Sequence, residues 1–589
     1  MLSGRSRLEG IAVRRAILVI SIVSLAGVGS CRQTGNPPTP LLDAPAPMAA
    51  ESDIGPMSHV PTTLSDWAQG AMLFEGLGSV HRPVTTSSPE AQKYFDQGLA
   101  LMWAFNHDEA TRSFARAAEL DPKCAACFWA VSLTVGPNYN LPFLTEERAK
   151  LAFESLEKAR DNAAHASPVE WALIAALANR YPTSLALDPA NTTAIFAAYA
   201  DAMKTVAQQY SHDLDVQTLY AEALMNINAW KLWSANGNPG PDTEQIVATL
   251  ESVLAHDPRH PGANHYYVHT MEASPHPEKA MAAAERLKSL MPAAGHIVHM
   301  PAHIMQRIGR YEDAAEANRK GAIADESYAS RTRPLDYYPV MYTAHNYQFL
   351  ACSAAMEGRM AEAIAATDSS RKAVTDAMLL AMPGTDWYVG ESYTARVRFG
   401  LWDELLAMPT PNPKLVALTT AFLYGRAVAL AAKDRLEEAR AALGELRKLA
   451  ATTTAEVPAG MNSVKDVLGV AIPIVEGRIA ASERRPEEAF SWLRQAVTAE
   501  DRLAYNEPKD WFFPARHVLG AALMQAGRAN EAERVYREDL LRNPKNGWAL
   551  YGLSAALKAQ GKRVEASTVA RKFESAWKLA DVKLTASAL

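Results

Sequence analysis

Apolar and polar positions follow a helical period along most of the chain, and the amphipathic stretches come in pairs joined by short turns. The pairs recur about every 34 residues. In Gly309-Arg310-Tyr311-Glu312-Asp313-Ala314 a glycine ends the first helix, an aromatic residue packs in the turn, and an alanine lets the second helix approach closely. The same grammar returns in Gly358-Arg359-Met360-Ala361-Glu362-Ala363, in Gly527-Arg528-Ala529-Asn530-Glu531-Ala532 and, more loosely, in Asn106-His107-Asp108-Glu109-Ala110. Asp121-Pro122, Asp257-Pro258 and Asn543-Pro544 close second helices, because proline cannot continue them. Alternating runs of Val, Ile and Thr are scarce, so a large sheet is not expected. A chain of 589 residues is also too long for one compact core. The pattern predicts an all-α solenoid of helical hairpins.

These units resemble the tetratricopeptide repeat family. The likeness is clear over about 91–122, 215–325, 340–376, 419–450 and 470–578, with degenerate helical stretches between. It implies a right-handed superhelix whose first helices line a concave face used for protein or peptide partners. A scaffold of this kind hosts many functions and names none.

The two ends of the period-bearing region fix the organisation. Residues 1–30 read as a signal peptide: Arg5, Arg7, Arg14 and Arg15 precede the apolar run from Ala16 to Val28. Val28-Gly29-Ser30-Cys31 resembles a bacterial lipobox, which implies lipidation at Cys31; ordinary cleavage nearby is the other reading. Residues 31–62, rich in proline and poor in large apolar side chains, form a tether. The body then divides into 63–213, 214–376 with the central repeats, and 377–589. An exported protein of the periplasm or cell envelope, held to a membrane by its lipid, is expected. The net charge of -6, with both signs interspersed, offers no basic stripe for phosphates, and nucleic acid is not an expected partner.

Candidate chemistry concentrates between Asn264 and His345. His265 and His269 are four apart, as are His299 and His303, and each pair shares one helix face. The second pair repeats the first at the repeat spacing, so two neighbouring first helices present four imidazoles side by side. His345 falls near the start of the next first helix, His296 holds the corresponding place one repeat earlier, and Glu222 matches the groove position of His269 and His303. Imidazoles so placed, with few carboxylates, suit Zn, Cu or Fe and not Ca or Mg. Ordinary groove histidines that stack on a peptide are the alternative. Pro301 lies between His299 and His303 and should kink or delay that helix. Glu272 and Gln306, one turn beyond His269 and His303, are expected to orient their rings.

The blocks 264–269 and 295–303 are also similar to ones in a group of bacterial exported tetratricopeptide lipoproteins with no settled activity. Cys124-Ala125-Ala126-Cys127 stands at a helix start and is expected to form a disulfide in an oxidising compartment. Two functions stay open. One is a binding platform that holds a transition metal; the other is a metal-dependent hydrolase or oxidoreductase using the same histidines with Glu222 or Glu272 as base.

Overall fold

The first hairpin begins with a side chain that satisfies free backbone donors and turns at a left-handed residue. A computed structural model describes residues 60–589 apart from 143, 187–190, 333 and 336. The expected signal peptide, Cys31 and nearly all of the expected tether lie outside the described residues. The first hairpin pairs α1 (Pro89–Trp103) with α2 (His107–Leu120). The Ser88 hydroxyl accepts from the Ala91 amide and Asn106 Oδ1 from the Glu109 amide, filling donors that a helix N-terminus leaves open. Helix α3 (Ala125–Val135) packs on α2, and the disulfide Cys124–Cys127 sits at its start. No described helix is long and apolar enough to cross a membrane.

The central region runs through α4 (Leu214–Ile227), α5 (Thr243–His256), α6 (Pro261–Glu272), α7 (Met281–Leu290), α8 (Gly295–His299), α9 (Pro301–Arg307), α10 (Tyr311–Arg331), α11 (Ala344–Met356) and α12 (Met360–Lys372). Further hairpins follow to α13 (Ala515–Gln525) and α14 (Ala529–Arg542). The described strands are one two-residue pair, Pro458–Ala459 with Asn462–Ser463. The protein is therefore an all-α, tetratricopeptide-type solenoid of helical hairpins.

The turn before each second helix has a fixed demand. Gly309 and Gly358 adopt φ of +73° and +72°, a region that glycine enters without steric cost. Phe105 occupies the equivalent place between α1 and α2 with φ of 54°. A side chain in that conformation costs about 1–2 kcal/mol. The strain aims an aromatic ring at the centre described below.

Pro301 does interrupt its helix. It has no N–H for the Ile297 carbonyl, and the helix divides into α8 and α9 at Met300. Met300 itself keeps helical dihedrals, φ -50° and ψ -35°, so the two segments remain roughly in line. A π-helical turn, Pro339–Thr343, leads into α11 and sets the register in which His345 emerges.

Candidate metal centre

Six histidines from three consecutive first helices meet in two sets of three. His265 and His269 on α6 join His296 at the start of α8; His299 at the end of α8 and His303 on α9 join His345 on α11. Within each set one ring nitrogen per residue lies within 4.8 Å of the others. Five of the six residues are buried and His345 is half-buried. Close helix approach makes this possible. A β-carbon on Gly262 would meet the Trp103 ring at 2.6 Å, and one on Gly295 would meet Asp325 Oδ1 at 1.9 Å.

The partners of the outer nitrogens fix what the inner ones can do. His265 Nδ1 donates to the Trp103 carbonyl at 2.6 Å, and His269 Nδ1 to Glu272 Oε1 at 3.0 Å. His299 Nδ1 meets Asn318 Oδ1 at 2.6 Å, and the Asn318 amide is held in that orientation because its Nδ2 donates to the Ala314 carbonyl at 2.7 Å. His303 Nδ1 contacts Glu272 Oε2. In these four rings the Nδ1 proton is committed, so each neutral imidazole turns a bare Nε2 inward. His299 Nε2 and His303 Nε2 are only 2.7 Å apart. His265 Nε2 and His269 Nε2 lie 3.1 and 3.5 Å from His296 Nε2.

Two lone pairs at such distances repel unless a cation or proton lies between them. Metal–imidazole bonds of about 2.0–2.1 Å would separate two ligand nitrogens by about 2.9 Å at a right angle and about 3.3 Å at the tetrahedral angle. The His265–His296 separation falls in that range, the His269–His296 separation is slightly wider, and the His299–His303 pair is slightly tighter.

Burial keeps most of these rings neutral. Desolvation, reinforced by neighbouring imidazoles, holds His265, His296 and His299 well below the ordinary histidine pKa, and His345 at about 3. His269 is also lowered by burial, although Glu272 opposes the shift. At His303 burial again works against the cation, but the charge and hydrogen bond of Glu272 outweigh it and raise the pKa. Glu272 pays a desolvation penalty too, yet its two histidine partners bring its carboxyl down to about 2. It is a single buried carboxylate clamping one ring from each set.

The walls come from distant parts of the chain. Phe105 packs on His265, His269 and His296 with ring centroids 4.5, 5.6 and 6.0 Å away. Tyr139 and Trp230 pack on His269 at 5.4 and 5.8 Å. Trp230, like Phe105, is a left-handed non-glycine residue, with φ of 63°. Phe349 closes on His299 and His303 at 5.2 and 4.9 Å. From the C-terminal repeats, buried Glu507 lies in the field of His303, Arg307 and Glu272, and its carboxyl is raised to about 7, chiefly by burial.

Sequence reasoning named His265, His269, His299, His303 and His345, and all five enter the two sets. It treated them as ligands of one ion with Glu222, whereas they divide in two and Glu222 joins neither set. Glu222 instead accepts from Asn226 Nδ2 at 2.5 Å, and its pKa is raised by burial against the opposing charge of Arg180. His296 completes the first set, from the place that repeat spacing gives it. The Trp103 carbonyl, Asn318 and Glu507 had no signal of their own. Gln306 is buried on α9 with no contact to the His303 ring among the described hydrogen bonds. His517 does not reach the centre: Asp539 Oδ2 holds its Nε2 at 2.8 Å, and Arg398 Nη2 lies 2.8 Å from its Nδ1.

No family model matches the chain, and no curated protein matches it. Solved structures with similar folds include a human IFIT1 dimer with m7Gppp-AAAA, 15% identical over 78% of this chain and 90% of that one, TM-score 0.31. Another is the Cut9–Hcn1 hetero-tetramer of the APC/C, 13% identical over 87% and 81%, TM-score 0.31. Yeast Tom70 is 12% identical over 83% and 93%, TM-score 0.29.

Proposed function

We propose that this protein is a metal-binding helical-repeat protein in which the two histidine triads each hold one transition-metal ion, with the rest of its groove free for a protein or peptide partner. The observation that carries the reading is the inward convergence of Nε2 atoms whose Nδ1 protons are already committed, because such rings repel one another unless a cation or a proton lies between them. Neutral nitrogen donors without a carboxylate in either triad favour Zn, Cu or Fe over Mg and Ca. Glu272 serves the centre as an anchor. With both oxygens engaged and its carboxyl near a pKa of about 2, it is a poor general base, and Glu222 stands apart; the metalloenzyme alternative loses both of its named bases.

The basic leader and Cys31 extend the reading to export and lipid anchoring, as in the bacterial lipoprotein-like group that the histidine blocks resemble. Labelling of the expressed chain with a radioactive fatty acid, lost in Cys31→Ser, would support that part; an unlabelled mature chain beginning elsewhere would remove it. The metal reading is tested by equilibrium dialysis of metal-free protein against Zn, Cu and Fe(II) separately, followed by elemental analysis. Two ions per chain for at least one metal are expected. Uptake below one ion per chain for every metal would reject the proposal.

A further inference from the structure

A separate pocket lies among the C-terminal repeats, and none of the six histidines lines it. Arg398 on the helix Glu391–Phe399, Tyr424 on Val416–Ala432 and Arg478 on Val464–Ser482 meet there, with Trp387, Trp511 and Phe512 as walls. The pocket measures about 40 Å³. One buried water needs roughly 10–15 Å³ of such space, so the pocket admits a group of a few heavy atoms.

Both arginines are short of acceptors. Arg478 makes no hydrogen bond and no ion pair among the described residues, and of its three nitrogens only Nε is sealed from solvent. Arg398 donates from Nη2 to His517 Nδ1 at 2.8 Å, its sealed Nε has no partner, and its Nη1 is open and unbonded. Its guanidinium stacks 3.6 Å from the Trp548 ring centre, which offsets part of its desolvation but gives its N–H groups no oxygen. The Tyr424 hydroxyl is likewise unbonded, and burial raises its pKa to about 12 against the pull of both arginines, so it stays a donor.

The nearby acids are engaged elsewhere. Glu391 lines the pocket but accepts from Gln348 Nε2 at 3.0 Å, and burial raises its carboxyl to about 8, which leaves it mostly uncharged at neutral pH. Asp510 also lines it, held by Asn462 Nδ2 and Asn506 Nδ2 at 2.7 Å each and by the Met461 amide at 3.0 Å. Asp539 reaches Arg398 only through the His517 ring, whose Nε2 it holds at 2.8 Å. Burial brings Arg398 down to about 9 and lowers Arg478 as well, yet a guanidinium remains a cation at neutral pH. Two cations therefore border the pocket with no carboxylate on either, a costly arrangement that an anion would offset.

We infer that this pocket binds a free tetrahedral oxyanion of the phosphate class, held by the Nη groups of Arg398 and Arg478 and by the Tyr424 hydroxyl. A guanidinium fork presents paired donors to two oxygens at once. A divalent ion matches two guanidiniums, whereas a carboxylate leaves one of them without a counter-charge. The small volume excludes a bulkier ligand from the pocket itself.

The test is isothermal titration of the metal-free full chain with inorganic phosphate and with acetate at matched ionic strength, so that no ion held by the histidines contributes. One phosphate per chain is expected, bound at least about ten-fold more tightly than acetate. Arg478→Met should weaken phosphate binding by at least about ten-fold. Tyr424→Phe, which removes only a hydroxyl that bonds nothing in the fold, should weaken it by about three- to ten-fold, and it reads the site even where Arg478→Met fails to fold. No phosphate uptake, or uptake that a folded variant of either kind leaves unchanged, overturns the inference. Acetate binding as tight as phosphate overturns the tetrahedral class of ligand. None of these outcomes bears on the metal reading.

Discussion

His299 Nε2 lies 2.7 Å from His303 Nε2 although Pro301 breaks the helix between them. The break removes one backbone bond but leaves Met300 helical, so the two side chains still rise on the same face one turn apart. Since Asn318 and Glu272 hold both Nδ1 atoms, this pair cannot relieve its contact by exchanging tautomers. A bound metal ion relieves it, and in the metal-free protein a proton on His303, whose pKa Glu272 raises, does so instead.

Division into two triads predicts that each can be emptied alone. His265→Ala with His269→Ala should reduce bound metal from two ions per chain to one, and His299→Ala with His303→Ala should do the same. Combining all four should remove both. Elemental analysis after dialysis reads the result; loss of all metal in either double variant would mean one shared ion.

Glu272 anchors a ring in each triad, so Glu272→Gln should weaken both sites together. A loss of about 10–100-fold in affinity is the usual effect of removing such an orienting partner. Competition with a chelator of known affinity measures it. A change confined to one of the two ions would contradict the bridging role.

Phe105 tolerates a left-handed backbone to lay its ring on three histidines of the first triad. Phe105→Gly should recover the backbone strain yet open the wall, so metal affinity of the first triad falls while that of the second is kept. Two-step metal titration of the variant separates these effects. Unchanged affinity in both steps would show that the ring has no part in the centre.

Stability of the metal-free protein should depend on Glu391, a buried carboxyl that burial raises to about 8. Its folded pKa lies above the unfolded value of 4.5, so the folded state keeps a proton that the unfolded state gives up. This contribution is fully present below about pH 4.5 and is lost as pH rises through about 8. Glu391→Gln should flatten that fall, seen as a smaller drop in urea midpoint between pH 5 and pH 8.5 than in the parent chain. An equal or steeper drop in the variant would contradict the assignment.

Repeat spacing made much of this legible. The Gly309 and Gly358 turns, the helix pairing, and the shared face of His265 with His269 and of His299 with His303 all follow from short-range periodicity, which sequence carries directly. The same spacing gives His296 the place that His345 holds one repeat later, and each of these two rings completes a triad. What periodicity does not carry is contact between distant repeats. Phe105 stands in the glycine position of its turn, a visible anomaly, but its contact with His265 spans most of two hundred residues of chain. The Trp103 carbonyl is a backbone atom with no signature at all. Glu222 matches the groove position by counting, yet it lies against Asn226 and joins neither triad.

X-ray absorption at the edge of the bound metal tests the two triads most directly, because it counts ligand atoms by type and distance. With two ions per chain, the expected spectrum shows about three imidazole nitrogens per ion at about 2.0 Å, with no sulfur. A shell dominated by oxygen or sulfur, or a single ion with all its nitrogens drawn from both sets, would contradict it.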